Sequence, residues 1–191
     1  MALPFTPNER QINRLIYSSR DFHLALSSLT FLAESHEYGE LYTRVERRRF
    51  AAYETSAIIS FCRPLVPSKD GTTLNLGLIR FKFKDADTIL RDRLFNIRNK
   101  IIAHSDESEM HFNIQTFDLS EDYPETSLQV PFPSFEDVLQ LNEEEFGSFD
   151  SLVRRLLHCA SKTMWDLAQE CPSMMNKYIR PASYPDSESA G

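Results

Sequence analysis

Glycine, cysteine and long apolar runs are all scarce in this chain. Only 5 of its 191 residues are glycine, which suits long helices better than a turn-rich sandwich. The 3 cysteines are odd in number and lack zinc-ligand spacing, so we interpret them as reduced packing residues of a cytoplasmic protein. No apolar run approaches the roughly 20 residues of a membrane span. The polar start of the chain also differs from a signal peptide. No membrane partner is expected.

Negative charge predominates overall, but it is unevenly distributed. The formal net charge is -7, which argues against a protein that coats nucleic acid without specificity. Residues 44–104, however, carry 13 Lys/Arg against 6 Asp/Glu, a balance of +7, whereas residues 105–191 carry 5 against 17. A basic segment between acidic flanks predicts either an anion-binding surface or charge balance within the molecule, and the sequence leaves both open.

The first third of the chain predicts two helices. The sequence Thr6-Pro7-Asn8-Glu9 has the pattern of a capping box with proline at the first helical position, so a helix is expected from here to about residues 35–39. A second helix is expected from about Glu40 to Cys62, because the residue before Pro64 is pushed out of the helical conformation. Its inner face is assigned to four apolar residues: Leu41, Val45, Ala52 and Ile59.

A third helix is expected after an irregular segment. Residues 64–83 are predicted to form a loop with a short strand at 78–83. Asp85 can cap a helix that runs to about Ala103. The apolar stripe of this helix comprises Leu90, Leu94, Ile97 and Ile101.

The C-terminal half predicts one further long helix. Weak alternation over 110–119 indicates a strand or an extended connection. Loop is expected up to Pro133, and a short helix from Ser134 to Leu141. Asn142 and the three glutamates after it form a strong acidic helix start, and the helix is expected to end at Cys171-Pro172.

The predicted fold class is all-α. Four long helices with apolar stripes must bury those stripes against one another, so a helical bundle is expected, with a short strand or loop insertion after the third helix. Residues 1–180 should form one domain, and 181–191 a disordered tail. The expected core includes Leu26, Leu94, Ile101, Leu156 and Met164.

The common catalytic motifs are missing from the sequence. It contains no phosphate-binding glycine loop, GxSxG, HExxH or CxxC pair, so neither a metal nor a cofactor is expected. His23 and His158 lie within or beside apolar helix faces and are predicted to be hydrogen-bonded core histidines. His36 is placed at a helix end, where a cation is mildly favourable.

His104 differs from the other histidines because Arg98 lies on the same predicted helix. On a helical wheel the two border one apolar stripe from opposite sides, about 9 Å apart along the axis. If two copies of this surface met, two Arg and two His side chains would enclose one polar cleft. A guanidinium binds phosphate bidentately, and an imidazole transfers protons near neutral pH. This combination suits RNA cleavage without a metal, with Asn99 orienting the imidazole or contacting the RNA. Alternatively, His104 caps the helix, Arg98 pairs with a carboxylate and Asn99 is exposed.

The segment Arg98-Asn99-Lys100-Ile101-Ile102-Ala103-His104-Ser105-Asp106 resembles the signature of the HEPN superfamily (higher eukaryotes and prokaryotes nucleotide-binding), in its abortive-infection-like branch. That signature has an arginine, a polar residue that is usually asparagine, and a histidine after a short spacer. The resemblance implies a four- to five-helix up-and-down bundle, usually dimeric. It also implies a metal-independent endoribonuclease that acts in phage defence or a toxin–antitoxin system. Arg98, Asn99 and His104 would then be the catalytic residues.

The resemblance also admits a second class of function. Some members of the superfamily are non-catalytic modules that bind RNA, a nucleotide or a partner protein such as an antitoxin. In either case a homodimer is expected, with Arg47 and Arg48 in the basic segment as weak RNA contacts. Glu46 and Glu54 are candidates for an additional acidic group in the site. A purely structural helical protein with a coincidental motif is the third hypothesis.

Overall fold

Four long helices form the bundle that the sequence predicts. The computed structural model describes residues 6–69, 71–103, 112–118, 129–135 and 139–178. The long helices are α1 (Glu9–Ser35), α2 (Arg44–Cys62), α3 (Asp85–Ala103) and α4 (Glu143–Glu170). A 3-10 turn (Arg63–Leu65) follows α2, and the short helix α5 (Pro172–Met175) follows α4. The predicted all-α bundle is therefore confirmed.

The core is formed where α1 and α3 each pack against both α2 and α4. Across the centre, Phe61 of α2 meets Phe149 of α4 edge to face, with ring centroids 5.2 Å apart. Such a pair contributes about 0.5 to 1.5 kcal/mol beyond the burial of its area. Leu94 and Leu156 are buried as predicted, and Leu26 and Met164 pack against the core from partly buried positions.

Reciprocal side-chain caps start three of the long helices. In α1, Asn8 accepts a hydrogen bond from the backbone N–H of Gln11, and the Gln11 side chain accepts one from the N–H of Asn8. The expected box at Thr6 to Glu9 is therefore wrong by two positions, because Asn8 is the stronger N-cap and Gln11 can reciprocate. The corresponding pairs are Thr43 with Glu46 in α2 and Asn142 with Glu145 in α4. The predicted start and end of α4 are confirmed.

The predicted inner face of α2 is wrong. Leu41 precedes the helix and is 99% exposed, and Val45 is 77% exposed. Ala52 is exposed as well, and Ile59 is half-buried. The buried side chains are Phe50, Glu54, Ala57, Ile58, Ser60, Phe61 and Cys62. The reason is that the arginine-rich first half of α2 carries little apolar signal, while the cap at Thr43 starts the helix at Arg44 rather than at residue 40.

The connections between helices also differ from the prediction. Residues 78–83 do not form a strand. Instead, this segment makes a series of turns, in which the backbone N–H of Leu78 donates to the carbonyl of Asn75 and that of Phe81 donates to the carbonyl of Leu76. The strands that the structure describes are β1 (Phe112–Asp118) and β2 (Gln129–Phe135), which pair antiparallel with Phe112 opposite Phe135. The predicted helix start at Ser134 is thus wrong. Prolines in this segment favoured loop, yet both strands of a two-stranded sheet are edges, where proline is tolerated.

Two histidines predicted to be in the core are exposed. His23 and His158 both face solvent, because each lies beside the apolar stripe of its helix and not within it. His36 is the C-cap residue of α1, so its predicted position at a helix end is confirmed; its backbone N–H donates to the carbonyl of Leu32. The tail 181–191 and the side chain of Ile101 lie outside the described residues. Among the helices of the described ranges, none is both long and apolar enough to span a membrane.

Candidate functional site

The first two motif residues lie at the C-terminal end of α3. One turn earlier, Leu94 and Ile97 are 0% and 2% exposed, and they hold this end of the helix on the core. Arg98 is half-buried and Asn99 is exposed. Nη1 of Arg98 donates to Oδ1 of Asn99 at 3.1 Å. Within the described part of the chain, Arg98 has no carboxylate partner, so the alternative in which a carboxylate neutralises it finds no support there.

His104 and the segment up to residue 111 lie outside the described residues. The helix α3 is described as far as Ala103, the residue immediately before His104. The separation of the guanidinium and the imidazole therefore stays a prediction from helical spacing.

The thiol of Cys62, the last residue of α2, is a packing group. Burial raises its pKa to about 12, and the charge of Arg98 acts in the opposite direction, lowering it. The thiol therefore remains protonated at neutral pH, whereas the reactive form of cysteine is the thiolate.

The two acidic candidates on α2 are both used by the fold. Oε2 of Glu46 accepts from the backbone N–H of Thr43 at 2.9 Å and from its hydroxyl at 2.7 Å, and these bonds lower the pKa of Glu46. Glu54 is 3% exposed and accepts from the N–H groups of Gln140 at 2.8 Å and Leu141 at 2.9 Å. Burial raises the pKa of Glu54, whereas these two bonds lower it. Both carboxylates thus fix helix ends.

Arg47 and Arg48 are exposed on the first turn of α2. Among the described residues, no hydrogen bond or ion pair joins Arg47 to Arg98. The structure therefore shows no direct contact between Arg47 and the predicted catalytic arginine.

Arg47 instead lines a cavity of about 730 Å³ between the α1–α2 connection and the start of α4. Its aromatic wall is a cluster around His36, whose ring stacks on Tyr42 at 5.2 Å and meets Phe50 edge to face at 5.1 Å. Burial lowers the pKa of His36. It also raises the pKa of Tyr38 to about 12, with further contributions from nearby glutamates. Sequence patterns missed this cluster because its rings come from a helix end, a connection and the next helix.

Comparisons with known proteins add no relative. No family model matches the chain, and no curated protein or solved structure is detectably similar to it. The likeness to the HEPN superfamily therefore rests on the motif beginning at Arg98. Within the described residues, no three His, Cys, Asp or Glu side chains lie close enough together to hold a metal ion.

Proposed function

We propose that this chain is a HEPN-like, metal-independent endoribonuclease, in which two copies form one cleft containing Arg98, Asn99 and His104. The observation that carries the proposal is the position of Arg98 and Asn99 at the end of a bundle helix, where they bond to each other. Because no carboxylate among the described residues neutralises Arg98, its guanidinium is available to a phosphate. Phage defence or a toxin–antitoxin system in the cytoplasm is the setting we propose.

The proposed reaction is attack by a ribose 2′-hydroxyl on the neighbouring phosphorus. One His104 imidazole accepts the 2′-hydroxyl proton as the new P–O bond forms, and the His104 imidazole of the second copy donates a proton to the departing 5′-oxygen. Breaking the P–O5′ bond leaves a 2′,3′-cyclic phosphate and a 5′-hydroxyl, so protons and charge balance. Arg98 stabilises the negative charge on the phosphorane.

The first test is cleavage of single-stranded RNA in the presence of a chelator. Arg98→Ala and His104→Ala should each abolish detectable cleavage, because losing one proton-transfer group alone costs about 10² to 10⁴ in rate. Arg98→Ala should leave the thermal midpoint nearly unchanged, since the side chain bonds only to its exposed neighbour among the described residues. Arg91→Ala, on the same helix and paired with its own neighbour Asp92, is the matched control and should still cleave.

A parent protein without chelator-resistant cleavage would overturn the enzyme proposal. The second candidate, a non-catalytic HEPN-like binding module, would then be favoured by the cavity beside Arg47. Its volume of about 730 Å³ lies within the range of small-molecule sites. In that case, binding of a nucleotide or RNA without cleavage should weaken in Arg47→Glu with Arg48→Glu.

A further inference from the structure

The cavity beside Arg47 is built from parts of the chain that the fold fixes in place. Its volume is about 730 Å³, and its walls come from the α1–α2 connection, the start of α2 and the residues before α4. The hydroxyl of Tyr38 donates to the carbonyl of Leu141 at 3.3 Å, which joins the first wall to the last. The hydroxyl of Tyr42 accepts from the backbone N–H of Glu37 at 2.7 Å. The walls are therefore held in position by bonds within the chain itself.

Aromatic and apolar surface remains uncovered in this cavity. Tyr38 is 39% exposed and Leu41 is 99% exposed, and both side chains line the cavity. The ring of His36 lies beside them, with its centroid 4.8 Å from that of Tyr38 and 5.2 Å from that of Tyr42. A flat heteroaromatic ring can cover such a surface, since nucleobases stack favourably on aromatic side chains.

The charged side chains that line the cavity balance one another, since they are two arginines and two glutamates: Arg47, Arg93, Glu40 and Glu145. Arg93 is used by the fold, because it donates to Glu145 at 3.3 Å and to the carbonyl of Gln140 at 3.0 Å. The side chains of Arg47 and Glu40, by contrast, form no hydrogen bond or ion pair with any described residue. The cavity therefore offers a ligand one guanidinium and one carboxylate.

These two groups favour an uncharged ligand that has acceptors on one edge and donors on another. A phosphate would gain the guanidinium of Arg47 but would also lie near the carboxylate of Glu40, and like charges repel. Burial and, after it, the charges of three nearby glutamates raise the pKa of Tyr38 to about 12, so the local potential is unfavourable to an anion. A nucleobase therefore fits this cavity better than a phosphate does.

We propose that the cavity binds guanine, carried either by single-stranded RNA or by a free nucleoside. Guanine is the RNA base that has two neighbouring acceptors, O6 and N7, beside two neighbouring N–H donors, at N1 and N2. Arg47 donates to the two acceptors, and the carboxylate of Glu40 accepts from the two donors. The ring packs against the exposed part of Tyr38. The inference does not depend on the proposed cleavage, because neither Arg98 nor Asn99 lines the cavity.

The first test is a calorimetric titration of the full chain with guanosine and with adenosine. Guanosine should bind at least about tenfold more tightly, because adenine cannot supply both pairs of groups. Arg47→Ala and Glu40→Gln should each weaken guanosine binding by about tenfold or more, since a bidentate contact discriminates between bases by roughly 5- to 150-fold. Arg48→Ala and Glu34→Gln are the matched controls. They change exposed side chains that do not line the cavity, and they should bind guanosine as the parent does.

The second test identifies the source of the base. The full chain with His104→Ala, which keeps the RNA intact, is titrated by fluorescence anisotropy with a short labelled oligouridine and with the same RNA carrying one central guanine. Tighter binding of the guanine-containing RNA, lost in Arg47→Ala, assigns the cavity to a base within a strand. Guanosine binding without this preference assigns it to a free nucleoside.

Two results would overturn the inference. One is the lack of any preference for guanine in both titrations, and the other is guanine binding that Arg47→Ala and Glu40→Gln leave at the level of their controls. The proposed cleavage at Arg98 would stand in either case, since it uses residues outside the cavity. A parent that binds guanine but cleaves no RNA would instead lose the proposed enzyme function alone.

Discussion

At the scale of single residues, Glu54 is the group on which the junction between α2 and α4 depends most. Its carboxylate is 3% exposed, and each of its two oxygens accepts one backbone N–H just before α4 begins. A buried N–H without a partner costs about 1 to 3 kcal/mol. The carboxylate, considered in the sequence as a catalytic candidate, thus holds the chain leading into α4.

Replacement of Glu54 should therefore be costly. Glu54→Ala removes the acceptor of the buried Leu141 N–H and of the N–H of the exposed residue Gln140, and we expect it to lower the free energy of unfolding by about 1 to 3 kcal/mol. Urea denaturation at neutral pH measures this change, with the exposed Glu34→Ala as a control that should stay within about 0.5 kcal/mol. A loss below that control value would show that water or neighbouring groups replace the carboxylate.

The pH dependence of Glu54 has a definite sign. Burial holds its folded-state pKa above the usual 4.5, so the folded protein binds this proton more tightly than the unfolded chain does. Its contribution to the free energy of unfolding is greatest below pH 4.5 and declines as the pH rises through the folded pKa. Glu54→Gln cannot titrate, so the stability of the parent relative to this variant should decline over that interval. A difference that rises with pH would contradict the assignment.

At the scale of helices and strands, α4 and α2 show how far the sequence could be interpreted. The helix α4 combines a capping box at Asn142 with a regular apolar face, and both its bounds and the packing of Leu156 and Met164 in the core were predicted. The arginine-rich start of α2 carries no such pattern. Strand β2 depends on its pairing with β1, a long-range contact that is not visible in a segment containing Pro131 and Pro133. Local signals therefore predicted the helices, whereas tertiary contacts decided which face of α2 is buried and which backbone groups Glu54 binds.

The buried face of α2 in the structure differs from the one predicted from the sequence, so two of its residues should respond differently to substitution. Phe61 is 0% exposed and meets Phe149, whereas Val45 is 77% exposed. Phe61→Ala should lower the free energy of unfolding by about 3 to 5 kcal/mol through the cavity that it leaves. Val45→Ser should change it by no more than about 0.5 kcal/mol. Chemical denaturation of both variants tests which face of α2 is buried. Comparable losses of unfolding free energy in the two variants would support the inner face first assigned from the sequence.

At the scale of the whole molecule, the proposed chemistry requires more than one copy of the chain. In one copy, Arg98 supplies a phosphate-binding group, and each of the two proton transfers needs its own imidazole. A single chain has one His104, so the complete reaction requires a second copy with its own Arg98 and His104 facing the same phosphate.

The protein is accordingly expected to be a homodimer whose catalytic cleft combines side chains of both copies. Sedimentation at micromolar concentration should give the mass of two chains, and a strict monomer would contradict this assembly. Adding an excess of His104→Ala protein to the parent, with RNA in excess over both, provides the sharper measurement, because each mixed dimer retains a single His104 imidazole for two proton transfers. If the cleft combines both copies, subunit exchange should lower the cleavage rate per parent chain in proportion to the mixed dimers that form. A cleft built within each copy would leave the cleavage rate of the parent unchanged by the added variant.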